Sequence, residues 1–253
     1  MSDSVKGRPV TRGERMRGYA VHLYTASGIV LAALAAAEIF SRRPDPRLVF
    51  VLFAAATLVD ASDGFLARRW EVKRTAPGID GRTIDDIVDY ITFTFLPLML
   101  VWRMEWVPEP ALLWLTPAMV ASLFGFAHTA AKDEGGGFFL GFPSYWNVVA
   151  FYAGLFHPVI SAAMIVALAV LTVLPVRFIY PTLAPRPWRT PLLVGAFAWL
   201  AFMLWTLADY PDVAPWLLWL SITYPLAYTL LSWHLSRRDR ATRTAEGHTG
   251  TVG

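Results

Sequence analysis

Asp60-Ala61-Ser62-Asp63-Gly64-Phe65-Leu66-Ala67-Arg68, followed after twelve residues by Gly81-Arg82-Thr83-Ile84-Asp85-Asp86-Ile87-Val88-Asp89, is the stretch that decides the fold. Both pieces adjoin apolar segments of membrane length, so Asp60, Asp63, Asp85 and Asp89 stand where carboxylates are costly. An Asp at the centre of a membrane helix costs roughly 2.5–3.5 kcal/mol on insertion scales, and four uncompensated ones would approach about 10 kcal/mol, which requires a cationic partner. At about 100° per residue, Asp60, Asp63, Gly64, Ala67 and Arg68 fall in one stripe of a helix, and Gly81, Asp85 and Asp89 in a stripe of the next. Packed face to face, the two stripes make a carboxylate cage.

An all-oxygen cage suits hard divalent ions, and paired ions stabilise the attacking and leaving oxygens of a phosphoryl transfer. The small residues Gly64, Ala67 and Gly81 let a nucleotide or a neighbouring backbone approach closely, which plain tight helix packing would also explain. A different class of function is open at this point: the acidic cluster could carry protons or cations through a transporter.

Working outward, 56% of the 253 residues are hydrophobic, 16% are charged and eleven are Trp, and the mean hydropathy is +0.46. A soluble core would not need so much apolar surface. Apolar runs of membrane length are drawn at about 20–40, 48–67, 84–103, 110–131, 144–157, 158–176, 191–208 and 213–234. The expectation is an all-α, polytopic integral membrane helical bundle of about eight transmembrane helices. Residues 1–238 read as a single domain, and residues 239–253, rich in Thr, Gly and Arg, as a disordered cytoplasmic tail. The proline-rich Pro181 to Pro191 segment reads as a rigid surface loop, and Lys132 to Gly137, with three successive glycines, as a flexible one.

With the N-terminus inside, alternation of these spans puts eighteen of the 22 Lys and Arg on cytoplasmic segments and leaves Arg42, Arg43, Arg47 and Arg103 outside. The positive-inside rule selects this orientation, and the aspartate site then faces the cytoplasm. Ala35-Ala36-Ala37 imitates a signal-peptide cleavage site, but the apolar run is long and its removal would invert the parity that fits the charges. Zero Cys excludes a disulfide framework and thiolate ligation, leaving oxygen or His for any metal. A net charge of +3 without a basic folded face excludes nucleic acid as the partner.

The signature Asp60-x-x-Asp63-Gly64-x-x-Ala67-Arg68 … Gly81-x-x-x-Asp85-x-x-x-Asp89 resembles that of the CDP-alcohol phosphotransferases, integral membrane enzymes that pass a phosphatidyl or similar group from a CDP-linked donor to an alcohol. The usual spacing from Arg to the second Gly is eight residues, whereas Arg69 to Asp80 makes twelve, a departure similar to the bacterial phosphatidylcholine synthase branch. His22-Leu23-Tyr24-Thr25-Ala26-Ser27-Gly28, Gly141-Phe142-Pro143-Ser144-Tyr145-Trp146-Asn147 and Leu174-Pro175-Val176-Arg177-Phe178 also resemble that branch, so the likeness is nearly full length.

The resemblance implies transfer of the phosphatidyl group of CDP-diacylglycerol to choline with release of CMP, in the inner membrane of a bacterium. It implies Mn²⁺ or Mg²⁺ as two ions on Asp60, Asp63, Asp85 and Asp89, with Asp89 also accepting the proton of the acceptor hydroxyl. Gly64, Ala67, Arg68 and Gly81 would hold the nucleotide donor, Arg68 through a bidentate guanidinium on phosphate, while the hydroxyls of Thr25 and Ser27 on the first helix could touch the nucleotide, line the cage or simply bond their own backbone. A homodimer is compatible with the same resemblance. A quaternary ammonium acceptor calls for aromatic faces, and Tyr24, Tyr90, Phe142, Tyr145 and Trp146 are candidates, with Asp133 or Glu134 as counter-charge. Interfacial anchoring explains each of those rings equally well. Serine in place of choline would keep the mechanism and change the acceptor. His22 and His128 read as hydrogen-bonded structural histidines before they read as site residues.

Overall fold

The computed structural model describes residues 9–127, 132–133 and 138–249, with side chains described over 9–127 and 138–237. Packing divides the chain into two compact units, Met1–Leu100 and Val101–Gly253.

In the first unit, Thr11 and Glu14 form a capping box: the Glu14 amide donates to the Thr11 hydroxyl at 3.2 Å, and the Thr11 amide donates back to the Glu14 carboxylate at 2.9 Å. Helix α1 (Arg12–Ala26) and helix α2 (Gly28–Ile39) continue through Ser27 as one apolar stretch of 28 residues. Asp45 caps α3 (Pro46–Arg69), whose first residue is proline and whose last turn carries Arg68 and Arg69 against the helix dipole. At 1.5 Å per residue, the 24 residues of α3 span about 36 Å, more than the ~30 Å hydrocarbon core. Val49, Phe50, Phe53, Ala54 and Ala56 bury one face of α3, while Leu48, Val51, Leu58 and Phe65 lie exposed on another, as a lipid-facing surface requires.

After α3, Glu71 adopts a left-handed conformation and starts the single turn α4 (Val72–Thr75). Arg74 in that turn bonds Glu71 at 2.8 Å and Glu14 at 3.1 Å, fastening the α3–α4 corner to α1. The two carboxylates, Glu71 foremost, raise the Arg74 pKa further. Asp80 caps α5 (Gly81–Asp89), which continues into a π-helical segment (Tyr90–Phe95) and then α6 (Leu96–Arg103). The run expected at 84–103 is therefore one continuous helical path whose register changes directly after Asp89.

In the second unit, α7 (Ala111–Ala127) packs on α9 (Pro158–Val173). Between them in sequence lies α8 (Trp146–Ala153). Its eight residues rise only about 12 Å, so the run expected to span at 144–157 contains no helix long enough to cross a bilayer alone. Three short strands, β1 (Lys132–Asp133), β2 (Phe138–Leu140) and β3 (Arg177–Ile179), form an antiparallel sheet in that order, which corrects the purely helical expectation. Lys132 pairs with Phe139 and Asp133 with Phe138, so these two residues belong to a strand and not to a flexible loop. Helix α10 (Arg189–Thr206) packs on α11 (Pro215–Thr249), whose Tyr228 hydroxyl donates to the Ile179 carbonyl at 2.7 Å and whose Ser232 accepts from the Ile179 amide at 3.2 Å. The α11 backbone runs on through much of the stretch read from composition as a tail.

Among the described residues, Arg12–Ile39, Pro46–Arg69 and Arg189–Asp209 are long and apolar enough to cross a membrane, and Ala111–Ala127 and Pro158–Val173 are shorter apolar helices. With exposed Val194, Phe197 and Trp205 on α10 and Trp216, Trp219, Leu226 and Leu230 on α11, this is a helical membrane protein.

Candidate active site

Helix α3 supplies Asp60 and Asp63 three residues apart, and α5 supplies Asp85 and Asp89 four apart, so each pair shares one helix face. One carboxylate oxygen from each of Asp60, Asp85 and Asp89 comes within 4.8 Å of the other two. All three are half-buried, and Asp63 is buried. These four aspartates line one cleft with Thr25, Gly28, Ala56, Val59, Val88 and Thr92. Its void of about 10 Å³ is the size of a single water molecule or ion.

Helix packing brings the walls this close through small residues. A Cβ on Gly28 would stand 2.6 Å from a Val88 methyl, so only glycine lets the start of α2 meet α5. At an effective dielectric of about 20, two carboxylates about 5 Å apart repel by roughly 3 kcal/mol, a force that a divalent cation between them would reverse. Oxygen-only donors fit Mg²⁺ or Mn²⁺ by hardness. Among the described residues, this is the group of three or more acidic or histidine side chains whose ligand atoms converge.

The other candidate positions divide by what they touch. Gly64 faces open space except for the Arg68 guanidinium, 3.4 Å from the position of a Cβ, so no packing demand explains this glycine. Gly81 differs, because a Cβ there would stand 2.8 Å from the His22 ring. Ala67 packs against the cluster of Val21, Val72 and Ala76. Thr25 is buried in the cleft wall, whereas the Ser27 hydroxyl donates to the Tyr24 carbonyl at 2.6 Å. Tyr24 and Ser62 hydroxyls meet at 2.7 Å, joining α1 to α3. Tyr90 opens the π-helical segment beside Asp89.

Phe142, Tyr145 and Trp146 form a ring cluster in the second unit, with centroids 6.5 Å apart for Phe142–Tyr145 and 5.5 Å for Phe142–Trp146. Trp146 is fully buried, and its indole N–H donates to Ser122 at 2.7 Å. Glu134, His128, the three glycines at 135–137 and the side chain of Asp133 lie outside the described residues. Sequence reasoning passed over Gly28 and Thr92 as cleft walls. Gly28 closes the first of the quoted resembling segments, a usable signal, while Thr92 carries none.

No family model matches the chain. The chain is 36% identical over 189 residues to the phosphatidylcholine synthase of Pseudomonas aeruginosa, covering 74% of this chain and 78% of the relative. It is 35% identical over 209 residues to that of Bradyrhizobium diazoefficiens, covering 81% and 75%, and 35% identical over 217 residues to that of Rhizobium johnstonii, covering 82% and 85%. The chain belongs to the phosphatidylcholine synthase family. Membership makes it an enzyme of phospholipid biosynthesis and agrees with the CDP-alcohol phosphotransferase resemblance of its signature. In this phosphatidylcholine synthase family member, both halves of the signature fall on helices whose aspartates meet in one cleft.

Proposed function

We propose that the protein transfers the phosphatidyl group of CDP-diacylglycerol to choline and releases CMP, at a divalent metal centre held by Asp60, Asp63, Asp85 and Asp89. The observation that carries the reading is the convergence of Asp60, Asp85 and Asp89 within 4.8 Å in a chain of this family. Bound Mn²⁺ or Mg²⁺ would neutralise pyrophosphate charge and stabilise the departing phosphate oxygen.

The chain's own residues do the rest. The choline oxygen attacks the lipid-side phosphorus, a P–O bond forms there, and the phosphoanhydride bond to CMP breaks. The Asp89 carboxylate takes the choline hydroxyl proton, and a base as weak as a carboxylate suffices when it is aligned, because the alcohol loses its proton late in the transition state. Arg68, whose guanidinium lies over Gly64 one to two turns beyond Asp60 and Asp63, would bind donor phosphate bidentately. Gly64 and Thr25 would border the nucleotide. Aromatic faces would hold the trimethylammonium group, a contact of about 2 kcal/mol when desolvated. The membrane is the bacterial inner membrane, crossed several times, with the cleft opening to the cytoplasm where CMP and choline are soluble.

The test supplies purified protein with CDP-diacylglycerol and Mn²⁺ and offers choline, serine, inositol and glycerol 3-phosphate separately, measuring CMP and lipid product with and without EDTA. The expected result is choline-dependent CMP release that EDTA abolishes and Mn²⁺ restores. Turnover with serine alone would overturn the acceptor, and EDTA-resistant turnover would overturn the metal centre. Absence of CMP with every acceptor would overturn the enzyme reading.

A further inference from the structure

We infer that His22 contacts the nucleotide half of the donor through Nε2, an inference that rests on the reading of the cleft as a CDP-diacylglycerol site. His22 lies on α1 with 6% of its surface exposed, and its Nε2 is buried without a hydrogen-bond partner among the described residues. A buried donor or acceptor is costly to leave unpaired, a cost that an apolar side chain in the same slot would not carry. The ring is also held in place by a second concession, since it presses so closely on the first residue of α5 that Gly81 must lack a side chain: a Cβ there would lie 2.8 Å from Cε1 and 3.0 Å from Nδ1. Two costs are thus sustained for one imidazole whose Nε2 bonds to nothing among the described residues.

Its position says what the atom awaits. Thr25, one helical turn after His22 on α1, lines the aspartate cleft, and Asp85, one turn after Gly81 on α5, supplies a carboxylate to it. The imidazole therefore stands about one turn, roughly 5 Å, from the cluster along both helices. A pyrophosphate held at the aspartates carries its ribose and base over an interval of that order. Among the reactants, the acyl chains and the trimethylammonium group offer no hydrogen bond, whereas the ribose hydroxyls and the cytosine edge offer donors and acceptors. An imidazole Nε2 can be either, depending on which ring nitrogen holds the proton. Occupation of the nucleotide site would then satisfy His22, so its cost is present in the empty protein and relieved on binding.

The experiment compares full-length wild type, His22→Leu and His22→Gln in detergent. It measures CMP affinity by calorimetry in Mn²⁺, KM for CDP-diacylglycerol and for choline, and the melting temperature without nucleotide. The expected result is about a 10-fold loss of CMP affinity in His22→Leu, the worth of one hydrogen bond, with a parallel rise in donor KM, an unmoved choline KM, and no fall in melting temperature. Gln, which keeps a side-chain donor and acceptor at similar reach, recovers most of the affinity. Unchanged CMP affinity in His22→Leu overturns the inference, as does a fall in melting temperature with donor and choline KM rising together, the mark of a packing role. Wild type that neither binds CMP nor turns over CDP-diacylglycerol would overturn the reading of the cleft instead, so the two failures are distinct.

Discussion

Gly64 and Gly81 occupy equivalent-looking places in one signature, yet their surroundings give opposite predictions for the same substitution. Gly64→Ala meets only the flexible tip of Arg68, so it should raise helix stability by about 0.5–1 kcal/mol through propensity while raising KM for CDP-diacylglycerol. Gly81→Ala drives a methyl into the His22 ring and should destabilise the protein by about 1–3 kcal/mol. Thermal melts of the two variants beside donor KM check both signs, and equal destabilisation would remove Gly64 from the donor site. At Asp89, Asn keeps the shape and one acceptor oxygen but loses the basicity needed to take a proton. Asp89→Asn should lower kcat by about 10²–10⁴-fold with CMP binding largely retained, and full turnover would refute its role. Sequence spacing made the four aspartates legible because their cost in a membrane demands an explanation. It could not separate a glycine that faces open space from one that clears a ring, since that difference lies in what stands opposite across an interhelical gap.

The helices that carry the site were legible as elements for a related reason: carboxylates at three- and four-residue spacing inside apolar runs mark both the period and the face of α3 and α5. What followed Asp89 was not: Pro97, which lacks the amide that would bond the Phe93 carbonyl, announces a disturbed helix, but nothing in the sequence says that the disturbance is a register change over Tyr90–Phe95. Strands of two or three residues show no alternation to read, and an apolar run at 144–157 concealed that its helix has only eight residues. The start of α5 yields a prediction of its own. Asp80 accepts from the Thr83 hydroxyl at 2.8 Å and the Arg82 amide at 3.0 Å, and these bonds, Thr83 foremost, hold its pKa below the ordinary carboxylate value. A carboxylate depressed on folding stabilises above its unfolded pKa and loses that contribution as pH falls through its folded value. Asp80→Ala should therefore lower the melting temperature and weaken Mn²⁺ binding near neutral pH, with the melting difference closing as pH drops through about 4 and below. Circular-dichroism melts at neutral and acid pH test this, and a difference independent of pH would show that the cap acts through something other than its charge.

For the whole molecule, the question is which way the aspartate cleft faces. The segments 1–18 and 68–82, which flank the first two long apolar helices, carry ten Lys and Arg against Arg42, Arg43 and Arg47 between those helices, a bias that favours insertion with the cleft toward the cytoplasm. Those three lie beside Asp45 and Glu38, and the Asp45 amide donates to the Glu38 carboxylate at 2.8 Å, so the corner between α2 and α3 has acidic side chains of its own. The absence of native Cys makes the orientation measurable with single introduced thiols. Arg43 is exposed beyond α2, and Gly78, exposed between α4 and α5, has no atom within 4 Å of a prospective Cβ, so Arg43→Cys and Gly78→Cys should both fold. A membrane-impermeant maleimide applied to intact spheroplasts should modify Arg43→Cys at once and Gly78→Cys only after permeabilisation. The reverse pattern would place the start of α5, and with it Asp85 and Asp89, on the side away from cytoplasmic CMP and choline. Dependence of the labelling on the Arg42–Arg47 corner would further distinguish the two outcomes, since neutralising those arginines should strengthen the expected orientation and leave its sign unchanged.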